Sequence, residues 1–331
     1  MKRLKPFIIG AAGGIFGLVL LPLSGMLPIS AVPGPPAIID WYLNMAAQQS
    51  IALRSLEIAV PELDDREKIQ RGAGHYEMVC ADCHGSPTHP ASTLADTLSP
   101  PPPLLTERMQ QWHPSQRIFF TVKHGIRRTA MPGWPSQMRD DEVWDMVAFI
   151  EALPQITPED YAALTPGDAR NDCARCHGNN GEGPLPGVPR LDIQSPAYLE
   201  MALKSFRDGM RQSGTMIAAS RGLTNTEISE LAAHFGRSRD LPPGNETTGA
   251  AIARSGIPDR DIPACASCHN SEARAEYPRL AGQDIDYLRT QLELFAEYGA
   301  ERGGPNAHIM AEIARELSQD DIEALAAYFG R

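Results

Sequence analysis

Residues 80–84 read Cys-Ala-Asp-Cys-His, and this short stretch decides the organisation of the chain. The same C-x-x-C-H pattern returns at residues 173–177 as Cys-Ala-Arg-Cys-His and at residues 265–269 as Cys-Ala-Ser-Cys-His. The three copies use all 6 cysteines of the chain. Because the copies are separated by about a domain's length, they predict three modules of similar size.

A C-x-x-C-H run is typical of a covalent attachment site for c-type haem. The two thiols of each copy are predicted to bind the two vinyl groups of one haem: Cys80 and Cys83, Cys173 and Cys176, and Cys265 and Cys268. The adjacent histidines are then the proximal axial ligands of the irons: His84, His177 and His269. The sequence therefore predicts three covalently bound haem c groups.

Two other uses of a C-x-x-C pair fit the sequence less well. A thioredoxin-like redox pair requires a βαβ context, which the sequence does not show. A structural zinc site usually combines two such pairs at short range. Here the pairs are far apart and each is followed directly by histidine, which favours haem.

The composition indicates a folded, acidic protein. A length of 331 residues is typical of two or three domains, and a hydrophobic content of 42% is ordinary for a globular chain. The formal net charge of -11 argues against nucleic acid as a partner. An acidic surface favours solubility and can also dock basic redox proteins.

An uncharged, mainly apolar run extends from Pro6 to about Leu27, after a start that is rich in lysine and arginine. Its length is close to what a helix needs to span a bilayer, and the basic start predicts a cytoplasmic N-terminus. The segment that follows, Ser30-Ala-Val-Pro33, is a poor signal-peptide cleavage site. Residues 1–30 are therefore predicted to be a retained anchor in the bacterial inner membrane, or an uncleaved signal, with the haem modules in the periplasm.

Residues 31–62 are predicted to form a linker and a docking helix. Prolines interrupt the chain up to Pro36, after which residues 38–60 have the pattern of a helix with few charges. Trp41 and Tyr42 suit a lipid interface. The helix either packs on the first module or docks a partner subunit, and the sequence leaves both alternatives open.

The predicted modules cover residues 63–154, 155–241 and 242–331. In the first module the apolar pattern predicts helices over residues 69–79, 115–124 and 141–152: the motif-bearing helix, a middle helix and a closing helix. Gly72 lies on the motif-bearing helix, where the absence of a side chain allows another helix to approach closely.

The second and third modules form an internal repeat. After their motifs they carry Pro-Arg-Leu at residues 189–191 and 278–280. Both end in the sequence Leu-Ala-Ala-x-Phe-Gly-Arg, at residues 231–237 and 325–331.

Three methionines share one register relative to the closing helix: Met131, Met216 and Met310. At a fixed distance after the second and third of them comes a capping-box sequence, at residues 224–227 and 318–321, which opens an apolar helix. Methionines of a packed core would have little reason to share this register. We therefore predict that these three are the distal axial ligands, and His/Met ligation raises the reduction potential of a haem.

Other side chains compete for the distal positions. His113 and His124 are candidates for the first haem, Met201 and Met210 for the second, and His308 for the third. A lone histidine is more often a surface or packed residue, so the three methionines in register are preferred.

Two arginines and two prolines are candidate supports for the haems. Arg190 and Arg279 either contact haem propionates, because arginine suits bidentate contacts with carboxylates, or are ordinary surface charges, and the sequence leaves both alternatives open. The carbonyls of Pro189 and Pro278 are predicted to accept a hydrogen bond from the proximal histidine Nδ1–H, which fixes the tautomer of the ligand.

On these motifs each module resembles a class I cytochrome c domain: C-x-x-C-H, a Pro-x-Leu loop, a methionine and a closing helix. The second and third modules resemble the halves of the dihaem cytochromes c4, on Pro278-Arg-Leu-Ala-Gly-Gln283, Tyr287-Leu288 and residues 310–329. The first resembles single-domain cytochromes whose distal loop carries Gly125-Ile126 and Met131-Pro132-x-Trp134. The fold class implied is mainly α, a transmembrane helix followed by three helical haem domains.

The sequence departs from this family pattern before two of the motifs. The second module lacks a clear Gly-x-x-x-aromatic helix before Cys173, and the third has residues 255–263 inserted before Cys265. Because of both departures, the sequence does not decide how the N-terminal helix of each of these modules packs. The haem sites themselves are not affected.

The resemblance implies an electron carrier rather than an enzyme, similar to the triple-haem cytochrome subunits of periplasmic dehydrogenases. Its implied partners are the inner membrane and a redox protein, either a dehydrogenase subunit or a terminal oxidase. One alternative is an independent shuttle between the cytochrome bc complex and a terminal oxidase. Another is a catalytic cytochrome with one open haem site. The three predicted distal methionines argue against it, because each would fill the sixth position of one iron. The sequence shows no catalytic base, nucleophile or nucleotide-binding loop.

Overall fold

The computed structural model describes residues 20, 22–25, 36–108, 114–166, 173–270 and 274–331. Within these ranges the regular structure is helical, apart from isolated β-bridges. The mainly α fold class predicted from the sequence is confirmed.

The first long helix of the described chain is α1, Ala37–Arg54. It is shorter than predicted and ends at Ser55, whose amide donates to the Ile51 carbonyl and whose hydroxyl donates to the Ala52 carbonyl. It packs through its C-terminal part on the first module. The predicted membrane anchor lies almost wholly outside the described residues, and none of the helices within those ranges is long and apolar enough to cross a bilayer.

The first module is organised by a helical segment that leads directly into its C-x-x-C-H motif. Its helices are α2 Arg66–His75, a π-helical turn Tyr76–Cys80, α3 Ala81–His84, α4 Leu105–Arg108, α5 Ser115–His124 and α6 Asp140–Ala152. Helix α2 begins where the Asp65 carboxylate accepts hydrogen bonds from the amides of Glu67 and Lys68. The motif therefore lies at the end of one continuous helical run.

Helices α2 and α6 cross at Gly72. A Cβ atom at this position would lie 2.3 Å from the Asp145 carbonyl oxygen and 2.6 Å from Phe149 Cβ. The close helix approach predicted from Gly72 is thus confirmed, and it places the motif-bearing segment directly against the closing helix.

An aromatic core lies behind this crossing. The rings of Tyr76 and Phe149 are 5.0 Å apart, and that of Tyr161 lies 6.1 Å from Phe149. Tyr161 belongs to α7, Pro158–Leu164, and its hydroxyl donates to the Glu77 carboxylate at 2.6 Å. Helix α7 therefore packs in the core of the first module, although the predicted boundary at residue 155 places it in the second.

The second and third modules repeat one arrangement. The second contains α8 Ala174–His177, α9 Pro196–Arg207, α10 Gly214–Ser220 and α11 Asn225–Phe235. The third contains α12 Thr247–Ser255, α13 Ile285–Tyr298, α14 Ala307–Arg315 and α15 Gln319–Phe329. Helix α9 packs on α10 and α11 as α13 packs on α14 and α15.

The insertion before the third motif leaves the helix crossing intact. Helix α12 crosses α15 at Gly249, where a Cβ would lie 2.1 Å from the Ala324 carbonyl oxygen. The inserted residues form a short loop held by hydrogen bonds between Ile257 and Ile262. In the second module the residues directly before the motif, 167–172, lie outside the described ranges.

Both capping boxes predicted from the sequence are present. Thr224 and Glu227 cap the start of α11, and Ser318 and Asp321 cap the start of α15. These caps fix the first residue of each closing helix and hence its buried face.

We predict that Gly72→Ala destabilises the first module, because the new methyl group meets the backbone of α6. The expected loss is about 1–3 kcal/mol, as for overpacked cores. Thermal unfolding followed by far-UV circular dichroism measures it. Gly222→Ala is the matched control, since Gly222 is exposed with nothing within 4 Å of its Cβ position. Equal melting temperatures for the two variants would contradict the crossing.

Candidate haem-binding sites

The second and third motifs line one cavity of about 790 Å³. Its wall includes both sets of predicted attachment residues: Cys173, Cys176, His177, Cys265, Cys268 and His269. The volume lies within the range of cofactor sites, about 300–1,000 Å³. Two segments far apart in sequence are thereby brought to one cavity.

The histidine of each motif binds a proline carbonyl. His177 Nδ1 lies 2.9 Å from the Pro189 carbonyl oxygen, and His269 Nδ1 lies 2.8 Å from that of Pro278. A carbonyl oxygen can only accept, so Nδ1 carries the proton and Nε2 of the neutral ring keeps its lone pair. The two hydrogen bonds predicted from the sequence are confirmed, and each leaves one nitrogen ready to ligate iron.

The first motif has the same arrangement with a partner that the sequence analysis missed. His84 Nδ1 lies 2.8 Å from the Pro103 carbonyl oxygen. Pro103 ends a proline-rich loop, and its distance from His84 differs from the spacing in the other two modules. The end of α3 is held by the Tyr76 hydroxyl, which donates to the Gly85 carbonyl at 2.6 Å.

Burial favours the neutral form of the three motif histidines. Burial lowers the pKa of His84, His177 and His269, and the carbonyl at Nδ1 opposes this effect only in part. None of the six cysteines, all within the described ranges, forms a disulfide. Burial raises the pKa of Cys80 to about 12, and that of Cys265 in the same direction. An imidazole whose Nε2 keeps its lone pair suits iron ligation.

The predicted methionines lie in two settings. Met216 and Met310, on α10 and α14, line the shared cavity together with the histidines of the second and third motifs. Met131 lies in the loop between α5 and α6, where its amide donates to the Thr129 hydroxyl and its carbonyl accepts from the Ile126 amide. As iron ligands all three remain predictions.

The competing candidates are less well placed. Met210 is 58% exposed, and His308 is exposed and does not line the shared cavity. His124 is exposed, and its ring packs on Phe120. Met201 does line the cavity, whereas His113 lies outside the described residues.

The arginines predicted to contact propionates already have protein partners. Arg190 forms two hydrogen bonds with the Asp192 carboxylate, at 3.0 and 2.8 Å. Arg279 donates to the Ser238 carbonyl at 2.5 Å. Both also line the cavity, and their contact with a propionate stays a prediction.

Two other arginines, missed by the sequence analysis, fit an anion better. Arg211 and Arg302 are buried, line the cavity and have no carboxylate partner among the described residues. The Nε atom of each lacks a hydrogen-bond partner. Burial, with the charge of Arg211 nearby, lowers the pKa of Arg302 to about 9. Because a buried cation without a carboxylate partner is costly, these two arginines suit anionic groups such as haem propionates.

These arginines occupy matching places in the repeat. Arg211 lies over the ring of Phe206 at 4.6 Å, and Arg302 lies over that of Phe295 at 4.5 Å. The hydroxyl of Tyr287 accepts from Arg211 at 2.8 Å across the module boundary. The signal in the sequence was the shared Tyr-Leu pair followed by phenylalanine and then arginine, but its spacing is not constant between the repeats.

Two buried glutamines clamp the modules together. Gln283 accepts from the Arg190 amide at 2.6 Å and donates to the Arg190 carbonyl at 3.0 Å. Gln194 makes the same two contacts with Arg279, both at 2.9 Å. Each glutamine thus binds the main chain of the arginine that follows the histidine-binding proline of the other module.

The clamp acts on the same peptide group that holds the histidine. The carbonyl of Pro189 and the amide of Arg190 belong to one peptide bond, which accepts from His177 on one side and donates to Gln283 on the other. The corresponding peptide of the third module joins His269 to Gln194. Because linked hydrogen bonds polarise one another, each module influences the basicity of the other's proximal histidine.

Comparison with known proteins agrees with this geometry. A family model described as cytochrome c oxidase, cbb3-type, subunit III matches residues 67–150, and one described as cytochrome c matches residues 260–330. Cytochrome c4 of Pseudomonas aeruginosa is 32% identical over 164 residues, which cover 47% of this chain and 81% of that protein. The chain belongs to the cytochrome c4 family. It is a multihaem c-type cytochrome, and its domains imply covalently bound haem c.

Other similar proteins include a dehydrogenase electron acceptor and a cytochrome c4 of known structure. A thiosulfate dehydrogenase electron acceptor of Stutzerimonas stutzeri is 34% identical, over 47% of this chain and 77% of that protein. Among solved structures, the Acidithiobacillus ferrooxidans cytochrome c4 matches 48% of this chain and 97% of its own, with 32% identity and a TM-score of 0.42. The P. aeruginosa and S. stutzeri relatives support electron transfer by a multihaem cytochrome.

We predict that the glutamine clamp tunes the haem potentials. Gln283→Leu removes the acceptor for the Arg190 amide, weakens the Pro189 carbonyl as an acceptor and makes His177 less basic. One haem potential is expected to rise by up to about 60 mV, a tenfold change for a one-electron couple. Gln283→Glu keeps an acceptor and adds negative charge, so it should lower the same potential.

Spectroelectrochemical titration measures these shifts. Gln194→Leu is expected to shift the reduction potential of a different haem. Gln319→Leu is the control, because this glutamine of α15 lies outside the cavity and bonds only acidic side chains. Unchanged potentials in all clamp variants would rule out the coupling.

Proposed function

We propose that the protein is a triple-haem electron relay. Haem c, when bound, supplies a reversible one-electron carrier. The three motifs would attach one haem each, with His84, His177 and His269 as proximal ligands. Met131, Met216 and Met310 would be the distal ligands.

The observation that carries this proposal is the shared cavity between the second and third modules. Both motifs line it, each histidine is held neutral with Nε2 free, and one predicted methionine from each module lies in the same wall. One cavity with two such ligand sets favours two haems close together, as rapid electron exchange requires.

The arginines of this cavity fit the haem propionates. Arg211 and Arg302 would balance them from within the cavity, since each guanidinium has an Nε atom without a partner. Arg190 and Arg279 would contribute from the loops that hold the proximal histidines. The cations would favour the ferrous state, because they stabilise the added electron.

A dehydrogenase is the proposed electron donor. The thiosulfate dehydrogenase electron acceptor of S. stutzeri supports a partner of this class. Quinone or a terminal oxidase would take the electrons. An independent shuttle between the cytochrome bc complex and a terminal oxidase is the second candidate, because a protein named cytochrome c4 is also a relative.

We also propose that the protein is held at the periplasmic face of the inner membrane. The uncharged run of residues 6–27 supports an anchor. Helix α1 follows it closely and exposes large apolar side chains, among them Ile38, Trp41 and Tyr42. Such side chains suit the lipid interface or a membrane subunit.

We predict a haem stoichiometry of three. Intact mass spectrometry of the purified protein should show the mass of three haems above that of the polypeptide. Replacing Cys265 and Cys268 together with alanine should remove one of them, and the matching change at Cys80 and Cys83 should remove another. Two haems in the unaltered protein would contradict the proposal for one of the motifs.

We predict that a dehydrogenase copurifies with the full-length protein in mild detergent. Mass spectrometry with metal and cofactor analysis should find a stoichiometric partner that carries molybdenum, flavin or a quinone cofactor. A copper–haem oxidase, or no partner, would instead favour the independent shuttle. Washed membranes serve as the control for location: protein released from them by salt alone would contradict the anchor.

A further inference from the structure

The first module reaches into the distal side of the second. Its closing helix α6 and the loop before it contact residues 212–215, which lead into the helix that carries Met216. The Ser136 hydroxyl binds the Gln212 side chain at 3.0 Å. One turn further along α6, Asp145 accepts from Arg71, which also donates to the Pro186 carbonyl at 2.7 Å.

Glu142 is the centre of this junction. Its carboxylate accepts from the Gly214 amide at 2.7 Å, the Thr215 amide at 3.2 Å and the Ser213 hydroxyl at 2.5 Å. Within its own module, Glu142 also binds Arg139 at 2.9 Å and Trp134 Nε1 at 3.2 Å. The side chain is only 10% exposed, so these contacts are shielded from water.

The contacts continue directly to Met216. The Ser213 hydroxyl that donates to Glu142 also accepts from the Met216 amide, at 3.1 Å. Helix α10 therefore starts on a serine that is itself held by the first module. Charge-assisted hydrogen bonds of this kind are stronger than those between neutral groups. Glu142 therefore fixes the position at which the helix that carries Met216 begins.

An aromatic pair fills the space beside Glu142. Trp134 and His75 are buried and their rings lie 4.3 Å apart. Trp134 packs on Gly214 so closely that a Cβ there would lie 2.0 Å from Nε1. Next to His75, Gly74 faces Cys176, whose Sγ would lie 3.1 Å from an added Cβ. The first module thus contacts the second on both its motif side and its methionine side.

We infer that Glu142 of the first module is a positioning residue for the Met216 ligand of the second. The inference rests on the proposed function, because it takes Met216 to be an axial ligand. It adds that the second haem site is complete only when the first module is docked on it. The first module would then control how firmly the second haem keeps its sixth ligand.

Glu142→Gln tests this, because it keeps the shape of the side chain while removing the charge and placing an amide against the Gly214 and Thr215 donors. Imidazole titration of the full-length ferric holoprotein measures how easily each distal methionine is displaced. We expect the imidazole affinity of one haem to rise about tenfold, or ~1.4 kcal/mol, while the other two stay unchanged.

Asp141→Asn is the matched control. Asp141 is the neighbouring carboxylate on α6, also pairs with Arg139 and is 45% exposed. It makes none of the contacts to residues 213–215, so its variant should bind imidazole as the unaltered protein does. An equal rise in the Asp141→Asn and Glu142→Gln proteins would overturn the inference.

Two further variants separate the outcomes. Ser213→Ala removes the hydroxyl between Glu142 and Met216 without altering the first module. It should raise the imidazole affinity of the same haem, by a smaller factor than Glu142→Gln does. Proton NMR of the reduced protein should show the methyl signal of one bound methionine shifted in both variants. Unchanged imidazole binding by the Glu142→Gln protein would overturn this inference but not the proposed function. Met216→Leu with unchanged imidazole binding would overturn the ligand assignment in the proposed function as well.

Discussion

The hydrogen bond between each motif histidine and a proline carbonyl is the contact on which the rest of the structure depends. It decides which imidazole nitrogen carries the proton, and burial keeps the ring neutral. The loop that supplies the carbonyl must then lie close to the motif, which fixes the space between loop, motif helix and closing helix. Every other feature of the sites is arranged around that space.

In the second and third modules this local contact is extended across the domain boundary. The peptide that binds His177 also binds Gln283, and the peptide that binds His269 also binds Gln194. The two modules are therefore joined at the groups that hold their ligands, not at a remote surface. The first module joins them differently, through one carboxylate that holds the start of α10. A single chain thus contains one symmetric and one asymmetric connection between sites.

Much of the fold was predictable because its signals are local. The capping boxes before α11 and α15 and the histidine contacts of Pro189 and Pro278 all follow from residues close together in sequence. The packing of Tyr161 was not predictable in the same way, because its hydroxyl binds Glu77, which lies far from it in the chain. Arg211 and Arg302 were missed for a similar reason, since a surface arginine and a buried one look alike in the sequence.

The sequence by itself determined three haem motifs, an internal repeat, the register of the closing helices and the family resemblance, because covalent attachment and helix capping need fixed short spacings. Only the tertiary structure decided that two motifs share one cavity and that glutamines clamp the loops of the neighbouring module. It also decided that Glu142 reaches the helix of Met216. These contacts join residues from different modules, and no short spacing in the chain specifies which distant backbone amide a buried side chain will meet.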